Sequence, residues 1–370
     1  MTPENEVTLY VNGEKYLGWT SVQIEVSVNS LVRACQLGAA RTSNRASLCE
    51  GIEEGLEAVV KIGSDTLLTG FIVNKTISYT HERSDIQITI KSKTVDLDEC
   101  MIPPGKPHQW KRATVSSVIK TIAGYYGIEV VDNGLAKNVR AIDFSTHETI
   151  GSGITKLLKD DSLLINDDEF GNLVVCGKTQ NGEAHDQLIY GQNILTGSRA
   201  HDISKVFKTY VVIGQGTDPE SKNSKPANSI SEQAENSDFP RNRVSVTEQS
   251  GNRTRKELKS RAEHLMANSI GNADVLTYQV QGWRQSNGDL WKQNMKVRIK
   301  DPMLGINQRL LVSKITYRLD KDGSTTTMTL KDPSAFTVTD LPDVDKGKKT
   351  VAKKVQKGTT FLAKAGSGRL

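Results

Sequence analysis

The sequence is poor in aromatic residues and in cysteine, and both shortages narrow the classes of protein that it can encode. Aromatic side chains make up 5% of the 370 residues, so the cores must be built mainly from Val, Ile and Leu. The four cysteines (Cys35, Cys49, Cys100 and Cys176) form no CxxC pair and have no histidine at metal-ligand spacing. We therefore expect neither a structural zinc site nor a disulfide framework, and scattered thiols indicate small core residues in a reducing cytosol.

Long apolar segments are also missing. The chain has no run of 18 apolar residues and no basic segment followed by an apolar one at its N-terminus. The expectation is that the protein neither spans a membrane nor carries a secretory signal.

The usual catalytic and cofactor motifs are absent. The six histidines are scattered, and no H-E-x-x-H pattern occurs. Ser117-Val-Ile-Lys120 matches the S-x-x-K pattern of a serine nucleophile, but the companion S-D-N and K-T-G motifs are lacking. We expect no catalytic, cofactor-binding or metal-binding residue, and no cofactor.

Acidic pairs provide one enzymatic alternative. Asp160, Asp161 and the run Asp167-Asp168-Glu169 could supply the two carboxylates of a glycoside hydrolase, as in a tail-associated peptidoglycan hydrolase. The simpler interpretation places Asp167–Glu169 in a solvated hairpin turn and Asp160-Asp161 at a helix end. No apolar and aromatic residues flank them to form a sugar cleft, so the simpler interpretation is preferred.

The positive charge is concentrated at the C-terminus. Residues 341–370 hold eight basic side chains against Asp343 and Asp345, whereas the remaining residues sum to a net charge of −1. This flexible tail could contact a polyanion, contact a partner protein, or be a solvated terminus, so a nucleic-acid-binding module is a second alternative. The candidate contact residues are Lys346, Lys348, Lys349, Lys353, Lys354 and Lys357.

The most informative pattern is a β-hairpin that occurs twice. Residues 71–79 and 86–92 alternate apolar and polar side chains around a charged turn, and residues 310–317 and 325–332 repeat this arrangement. An interval of some 240 residues is too long for a solenoid repeat. The repeat therefore predicts two related β-domains separated by a different unit.

The predicted fold class is β-rich α+β, with two similar small antiparallel β-barrels flanking an α/β insert. The barrels occupy 1–98 and 191–340, the insert 99–190 and the Lys-rich tail 341–370. The segment 214–251 is almost entirely polar and cannot bury enough surface to offset its ordering entropy, so we interpret it as a mobile loop in the second barrel.

Local signals place the smaller elements. An Asn12-Gly13 turn predicts a hairpin between strands 7–11 and 22–28. Three helices are predicted, one from a Thr114 cap through Tyr126, one over 149–158 and one over 255–270. A hairpin of residues 162–166 and 172–177 completes the insert.

Two tryptophans flank a turn in the second β-domain. The loop Gly282-Trp-Arg-Gln-Ser-Asn-Gly-Asp-Leu-Trp291 places Trp283 and Trp291 on either side of an Asn-Gly turn. Such rings anchor β-turns, lie at subunit contacts or form ligand platforms, and Trp283 and Trp291 are therefore candidate interface residues.

Taken together, these segments resemble the baseplate hub proteins of Mu-like contractile-tailed phages. The resemblance covers about residues 1–340. Its strongest signatures are the loop between Trp283 and Trp291 and the pattern Leu68-Thr-Gly70 followed by Lys93-Thr-Val-Asp-Leu97. That family is related in fold to the T-even phage hub and to the base of type VI secretion spike proteins.

The resemblance implies a structural role in the virion. It implies a homotrimer whose two barrels per chain form a pseudo-six-fold ring that joins the tail tube to the central spike and surrounds the DNA channel. The implied partners are the spike, the tail tube and other baseplate proteins, with assembly in the host cytoplasm. We also expect edge strands of both β-domains to pair across subunits, because barrel-like β-domains must cover their edges.

Overall fold

The computed structural model of the chain describes residues 3–41, 51–81, 84–133, 139–160, 164–176, 182–216 and 228–336. In chain order, the strands are β1 (Val7–Val11), β2 (Glu14–Tyr16), β3 (Ser21–Ser27), β4 (Ala34–Arg41), β5 (Glu57–Ile62), β6 (Asp65–Tyr79), β7 (Ser84–Ser92), β8 (Gln109–Thr114), β9 (Val130–Asn133), β10 (Val139–Asp143), β11 (Leu164–Asp167), β12 (Leu173–Cys176), β13 (Leu188–Ile189), β14 (Ile194–His201), β15 (Thr209–Gly216), β16 (Asn228–Glu235), β17 (Val244–Asn252), β18 (Asp274–Gln281), β19 (Lys296–Asp301), β20 (Ile306–Asp320) and β21 (Gly323–Lys331). The α-helices are α1 (Val95–Glu99), α2 (Val115–Gly124), α3 (Ile150–Asp160) and α4 (Arg255–Ala273), and the fold is therefore β-rich with few helices.

Most strands belong to one 13-stranded sheet. Its order is β14-β18-β21-β20-β3-β4-β7-β6-β5-β1-β2, and β19 and β13 extend from β20. We call β1–β7 the first β-module, and β13, β14 and β18–β21 the second. No pairing among the described residues closes the sheet. The two modules share one sheet and one hydrophobic core.

The two predicted hairpins are confirmed, and they pair in the same register. In the first, Ile72 faces Ile90; in the second, Val312 faces Leu330, so each residue has a counterpart 240 positions further along the chain. Both long strands contain 15 residues and both return strands contain nine. Each long strand also has a bulge at the same place. It lies between Ile72 and Asn74 in β6, and between Val312 and Lys314 in β20. The resemblance between the copies is therefore one of geometry as well as composition.

The Asn12-Gly13 turn forms where it was predicted, but it joins a different strand. Both residues have positive φ (51° and 84°), as a tight two-residue hairpin turn requires. The turn pairs β1 with the three-residue β2, and β3 pairs instead with β4 and β20. The prediction that strand 22–28 is the hairpin partner of strand 7–11 was wrong.

The α/β unit between the modules comprises α1–α3 and β8–β12 and has its own core. Its predicted helices and hairpin are confirmed. The Thr114 side chain caps α2 by accepting a hydrogen bond from the Ser117 amide. The apolar face of α2 (Val115, Val118, Ile119, Ile122 and Ala123) is buried.

The expectation of a loop over 214–251 was wrong for residues 214–216, 228–235 and 244–251, which lie in strands, while residues 217–227 lie outside the described part of the chain. Strands β16 and β17 flank β15, one antiparallel and one parallel to it. Val212, Ile230 and Ala234 bury their side chains against Leu258 and Ala262 of α4. Helix α4 follows the predicted pattern and begins with a capping box between Thr254 and Glu257. A few well-placed apolar residues therefore order a largely polar segment.

Among the described residues, no helix is both long and apolar enough to cross a membrane.

Candidate functional site

The candidate functional site is the junction between the two β-modules, where β3 pairs antiparallel with the second half of β20. The register runs from Lys314 opposite Ser27 to Leu319 opposite Val22. Along β3, Val22, Ile24 and Val26 alternate with polar residues and are buried, so strand periodicity directs them into the shared core. On the outer face, Lys314 Nζ lies 2.6 Å from Glu25 Oε1.

The Trp-to-Trp loop supports this junction from the second β-module. Trp283 is fully buried, and its indole Nε1 donates to the carbonyl oxygens of Arg318 and Thr325, at 3.1 Å each. The Trp291 amide donates to the Trp283 carbonyl at 3.0 Å. The Tyr317 hydroxyl donates to the Trp291 carbonyl. The loop is thus fixed to the strand that carries the junction.

Both tryptophan rings lie inside the core of a single chain; Trp291 is 3% exposed. This burial agrees with the loop-anchor alternative for both rings. A subunit contact at Trp283 and Trp291 remains a prediction.

Arg284, between the two tryptophans, reaches the first β-module. Its guanidinium lies 2.8 Å from Asp65 Oδ2 and donates at 2.7 Å to the Glu4 carbonyl. It also donates at 2.8 Å to the Gly288 carbonyl within its own loop. One planar cation therefore connects the Trp loop of the second module to the N-terminal segment of the first, with the fork geometry that Arg provides.

A second polar cluster fixes the segment that enters the second β-module. Asp186 accepts hydrogen bonds from the Ser286 amide (2.7 Å) and hydroxyl (2.5 Å), and His185 Nδ1 lies 3.0 Å from the Asp186 carboxylate. Partial burial raises the pKa of Asp186, but the Ser286 and His185 hydrogen bonds outweigh it, so the pKa lies below its ordinary value. Because the bonds favour the charged form, Asp186 remains an acceptor at neutral pH.

The α/β unit is connected to the first β-module by a buried ion pair. Arg33 Nε lies 2.9 Å from Asp167 Oδ1, with both side chains almost fully buried. Arg33 also donates to the carbonyls of Asp167 (2.7 Å) and Leu67 (3.0 Å). Burial raises the pKa of the Asp167 carboxyl, and the Arg33 guanidinium offsets part of that rise. The interpretation of Asp167 as a solvated turn residue was wrong.

The other acidic candidates do not form a pair of carboxylates in the described residues. Asp168 caps the turn by accepting from the Phe170 amide (3.0 Å) and the Asn172 amide (2.8 Å), as a turn residue does. The Glu169 carbonyl accepts from the Thr69 hydroxyl at 2.9 Å. Asp161 and the side chain of Asp160 lie outside the described residues.

The remaining motifs have local structural roles or lie outside the described residues. The Ser117 hydroxyl donates to the Thr114 carbonyl at 2.8 Å, which makes it part of the α2 cap. No group of three or more His, Cys, Asp or Glu residues in the described ranges could hold a metal ion. Lys346, Lys348, Lys349, Lys353, Lys354 and Lys357 lie outside the described residues.

Sequence reasoning missed Arg33, Asp167 and Arg284 as structural residues. Arg33 and Asp167 are 134 positions apart, so no local spacing connects them. Arg284 lies in a loop that the sequence did single out, and a lone arginine between two tryptophans was the available signal. All three residues connect units rather than form a reactive centre.

Three family models match consecutive parts of the chain. Residues 6–91 match the N-terminal domain of the Mu phage baseplate assembly protein GpP-like family. Residues 94–177 match the second domain of the baseplate hub protein gp44-like family. Residues 254–339 match the fourth domain of the Mu phage baseplate assembly protein GpP family. The matches follow the order of the first β-module, the α/β unit and the second β-module.

Similar proteins extend these matches over nearly the whole chain. The baseplate hub protein gp44 of Escherichia phage Mu is 26% identical over 344 residues, 90% of this chain and 89% of gp44. The crystal structure of the 43 kDa tail protein of prophage MuSo2 from Shewanella oneidensis has a TM-score of 0.78 at 24% identity, covering 90% of this chain and 99% of that one. An E. coli type VI secretion component, described as similar to the T4 tail proteins gp27 and gp5, has a TM-score of 0.54 at 10% identity over 87% and 76% of the two chains.

Proposed function

Because the chain belongs to the baseplate hub family of Mu-like contractile-tailed phages, we propose that it forms a homotrimeric hub in the tail baseplate. The ring joins the tail tube to the central spike and surrounds the channel through which the genome leaves. The DNA passes without sequence-specific binding. The proposed role is structural: the ring connects other tail proteins and catalyses no reaction.

The observation that carries this proposal is the repeat of one hairpin in the same register 240 residues apart. Three chains bearing two copies of one β-module present six similar surfaces around an axis. Such a ring can match a six-fold tube on one side and a three-fold spike on the other, since closed symmetric rings are common among homo-oligomers.

The similar proteins support the proposed partners. The E. coli protein is described as a component of the type VI secretion system with similarity to gp27 and gp5 of the T4 tail. Because this chain has a similar fold to that component, we assign it a spike protein on one face and the tail tube and other baseplate proteins on the other. Each β-module corresponds to one barrel-like unit of the ring.

The proposed domains keep the boundaries expected from the sequence, with β-domains at 1–98 and 191–340 around the unit 99–190; α1 (Val95–Glu99) and β13 (Leu188–Ile189), which pack with the α/β unit and the second β-module, lie at or within a few residues of these boundaries. The tail at 341–370 is assigned to contact with a partner or with a polyanion. The protein works in the virion after assembly in the host cytoplasm.

Sedimentation velocity combined with negative-stain imaging tests the proposal. Three copies of the 40.6 kDa chain make a particle of about 120 kDa, and its images should show six lobes around a hole. A wide concentration range is needed because weak oligomers dissociate on dilution. A compact monomer at every concentration would argue against a ring formed by this chain alone.

A further inference from the structure

Strand β19 in the second β-module carries a row of positive charges. Its apolar residues face the shared core, and the cations Lys296, Arg298 and Lys300 lie on the opposite face. At about 3.3 Å per residue, neighbouring cations in this row are about 6.6 Å apart. Arg309 of β20 adds a fourth positive charge, because it lies directly opposite Arg298 in the antiparallel pair.

These four cations line a groove of about 390 Å³, which we call the basic groove. Its facing wall is the segment 183–187, which lies beside β19; the Ala184 amide donates to the Lys296 carbonyl at 2.9 Å. Gln285 holds this wall in place, since its side-chain oxygen accepts from the His185 amide at 2.7 Å. The groove is therefore formed in advance within one chain.

The positive charges in the basic groove are largely uncompensated. Glu183 is the one carboxylate among the described residues that line it, and it lies 3.7 Å from Arg309 in a pair whose side chains are both more than half exposed. Such exposed pairs contribute little. Arg298 donates from Nη2 to Asn307 at 3.2 Å, but its Nε is buried without an acceptor among the described residues. A bound anion would relieve both the repulsion between the opposed arginines and the unsatisfied donor.

The shape of the groove favours an extended peptide over a nucleic acid. Proteins hold duplex DNA over about 600–2,500 Å² of surface, with cations spread along a face, whereas these cations are confined to one hairpin. An extended peptide presents alternate side chains about 6.6 Å apart, the interval between the cations of β19. Carboxylates at that interval can each meet one cation, and an arginine binds a carboxylate through two parallel N–H···O bonds.

We propose that the basic groove binds an extended acidic segment of another protein, with Asp or Glu at alternate positions. One carboxylate lies between Arg298 and Arg309, and its neighbours along the peptide lie over Lys296 and Lys300. Clusters of arginine recognise acidic motifs in this way. The groove belongs to a single chain, so the inference does not depend on the proposed ring.

Peptide binding to the full-length chain, followed by fluorescence anisotropy, tests the proposal. The probe is a labelled Glu-Thr-Glu-Thr-Glu-Thr peptide, compared with Gln-Thr-Gln-Thr-Gln-Thr and with the block peptide Glu-Glu-Glu-Thr-Thr-Thr. The alternating probe should bind about tenfold or more tightly than the Gln peptide, and added salt should weaken its binding. Equal affinity for these two would overturn the proposal. A block peptide that binds as tightly as the probe would overturn the proposed spacing.

Two variants with the same change in charge locate the binding. Arg298→Gln/Arg309→Gln should weaken probe binding about tenfold or more, whereas Lys111→Gln/Arg112→Gln, at exposed cations of β8, should leave it unchanged. Equal weakening in both would overturn the proposal. Arg309→Gln alone should weaken binding without lowering the melting temperature, because it removes a contact between like charges, and lost binding is then not lost folding.

Two further measurements distinguish the other occupants. A labelled DNA duplex that binds more tightly than the peptide, and is lost in Arg298→Gln/Arg309→Gln, would overturn the choice of an acidic peptide. Sedimentation velocity should give this variant the same particle mass as the parent chain, and a smaller particle would place the groove between copies of this chain instead. A monomeric parent that binds the probe would support the groove and argue only against the ring.

Discussion

Arg33 and Asp167, 134 positions apart, form a buried ion pair in which the guanidinium Nε lies 2.9 Å from the carboxylate. Arg33 precedes β4 of the first β-module, and Asp167 ends β11 of the α/β unit. The ion pair therefore joins the α/β unit to the first β-module.

Removing one partner of this pair should destabilise the protein strongly. Asp167→Ala leaves an unpaired buried cation, which costs about 3–5 kcal/mol in the free energy of unfolding. The double variant Arg33→Met/Asp167→Leu should recover much of that loss, because a well-packed apolar pair avoids the desolvation of two charges. Urea unfolding gives the free energy of unfolding of the single and the double variants. Equal losses in the single and double variants would show that the apolar side chains do not pack there.

Trp283 should contribute a hydrogen bond as well as packing. Trp283→Phe removes the donor to Arg318 and Thr325 and part of the ring, and should cost about 1–2 kcal/mol; Trp283→Ala should cost about 3–5 kcal/mol. Trp19 is the matched control, because its indole nitrogen is buried without an acceptor among the described residues. Trp19→Phe should cost less than Trp283→Phe in the same unfolding assay. The reverse order would contradict a stabilising role for the Trp283 bonds.

Gly70 is required by close backbone contact. A Cβ at this position would lie 1.8 Å from the Lys91 carbonyl oxygen in the adjacent strand. Gly70→Ala should therefore force the strands apart and destabilise the protein by about 3 kcal/mol or more.

The control for Gly70 is a glycine with open space around it. Gly124 ends α2, and a Cβ there meets nothing within 4 Å. Gly124→Ala should stabilise the protein slightly, by about 0.5–1 kcal/mol, because alanine favours the helix. Thermal denaturation of both variants distinguishes a steric requirement from a general intolerance of substitution.

Stability should fall in acid partly through Asp186. Its pKa is lowered in the folded state, so the contribution is fully present above the unfolded pKa and is lost as pH falls through the folded value. The affected window therefore lies below the ordinary aspartate pKa of about 3.9. Asp186→Asn should give a shallower decline in unfolding free energy between neutral and acid pH. An unchanged slope would show that the Ser286 bonds do not stabilise the charged form.

The sequence predicted the elements whose signals are local. The repeated hairpins follow from alternation along residues 71–79 and 310–317 and from the charged turns that end them, and the helix cap at Thr114 follows from one side chain. These features depend only on residues that are close to one another in the sequence.

The rest of the fold depends on contacts that are distant in sequence. The strands at 228–235 and 244–252 contain too few apolar residues to be predicted, and Ile230 is buried because it packs in a cluster with Val212, Leu258 and Ala262. Likewise, nothing near Val22 identifies β20 as its partner strand. The candidate site could be predicted in its parts, the hairpin and the Trp loop, but not as a junction.

The β3–β20 junction also has a consequence for the order of folding. The Ser27 hydroxyl donates to the carbonyl of Ser313, 286 residues further along the chain. At a synthesis rate of about 5–20 residues per second, β3 leaves the ribosome roughly 15–60 s before its partner strand exists. The α/β unit, whose contacts are more local, can fold during that interval. The first β-module meanwhile carries an open strand edge, and the nascent subunit is therefore prone to aggregate until β20 is made.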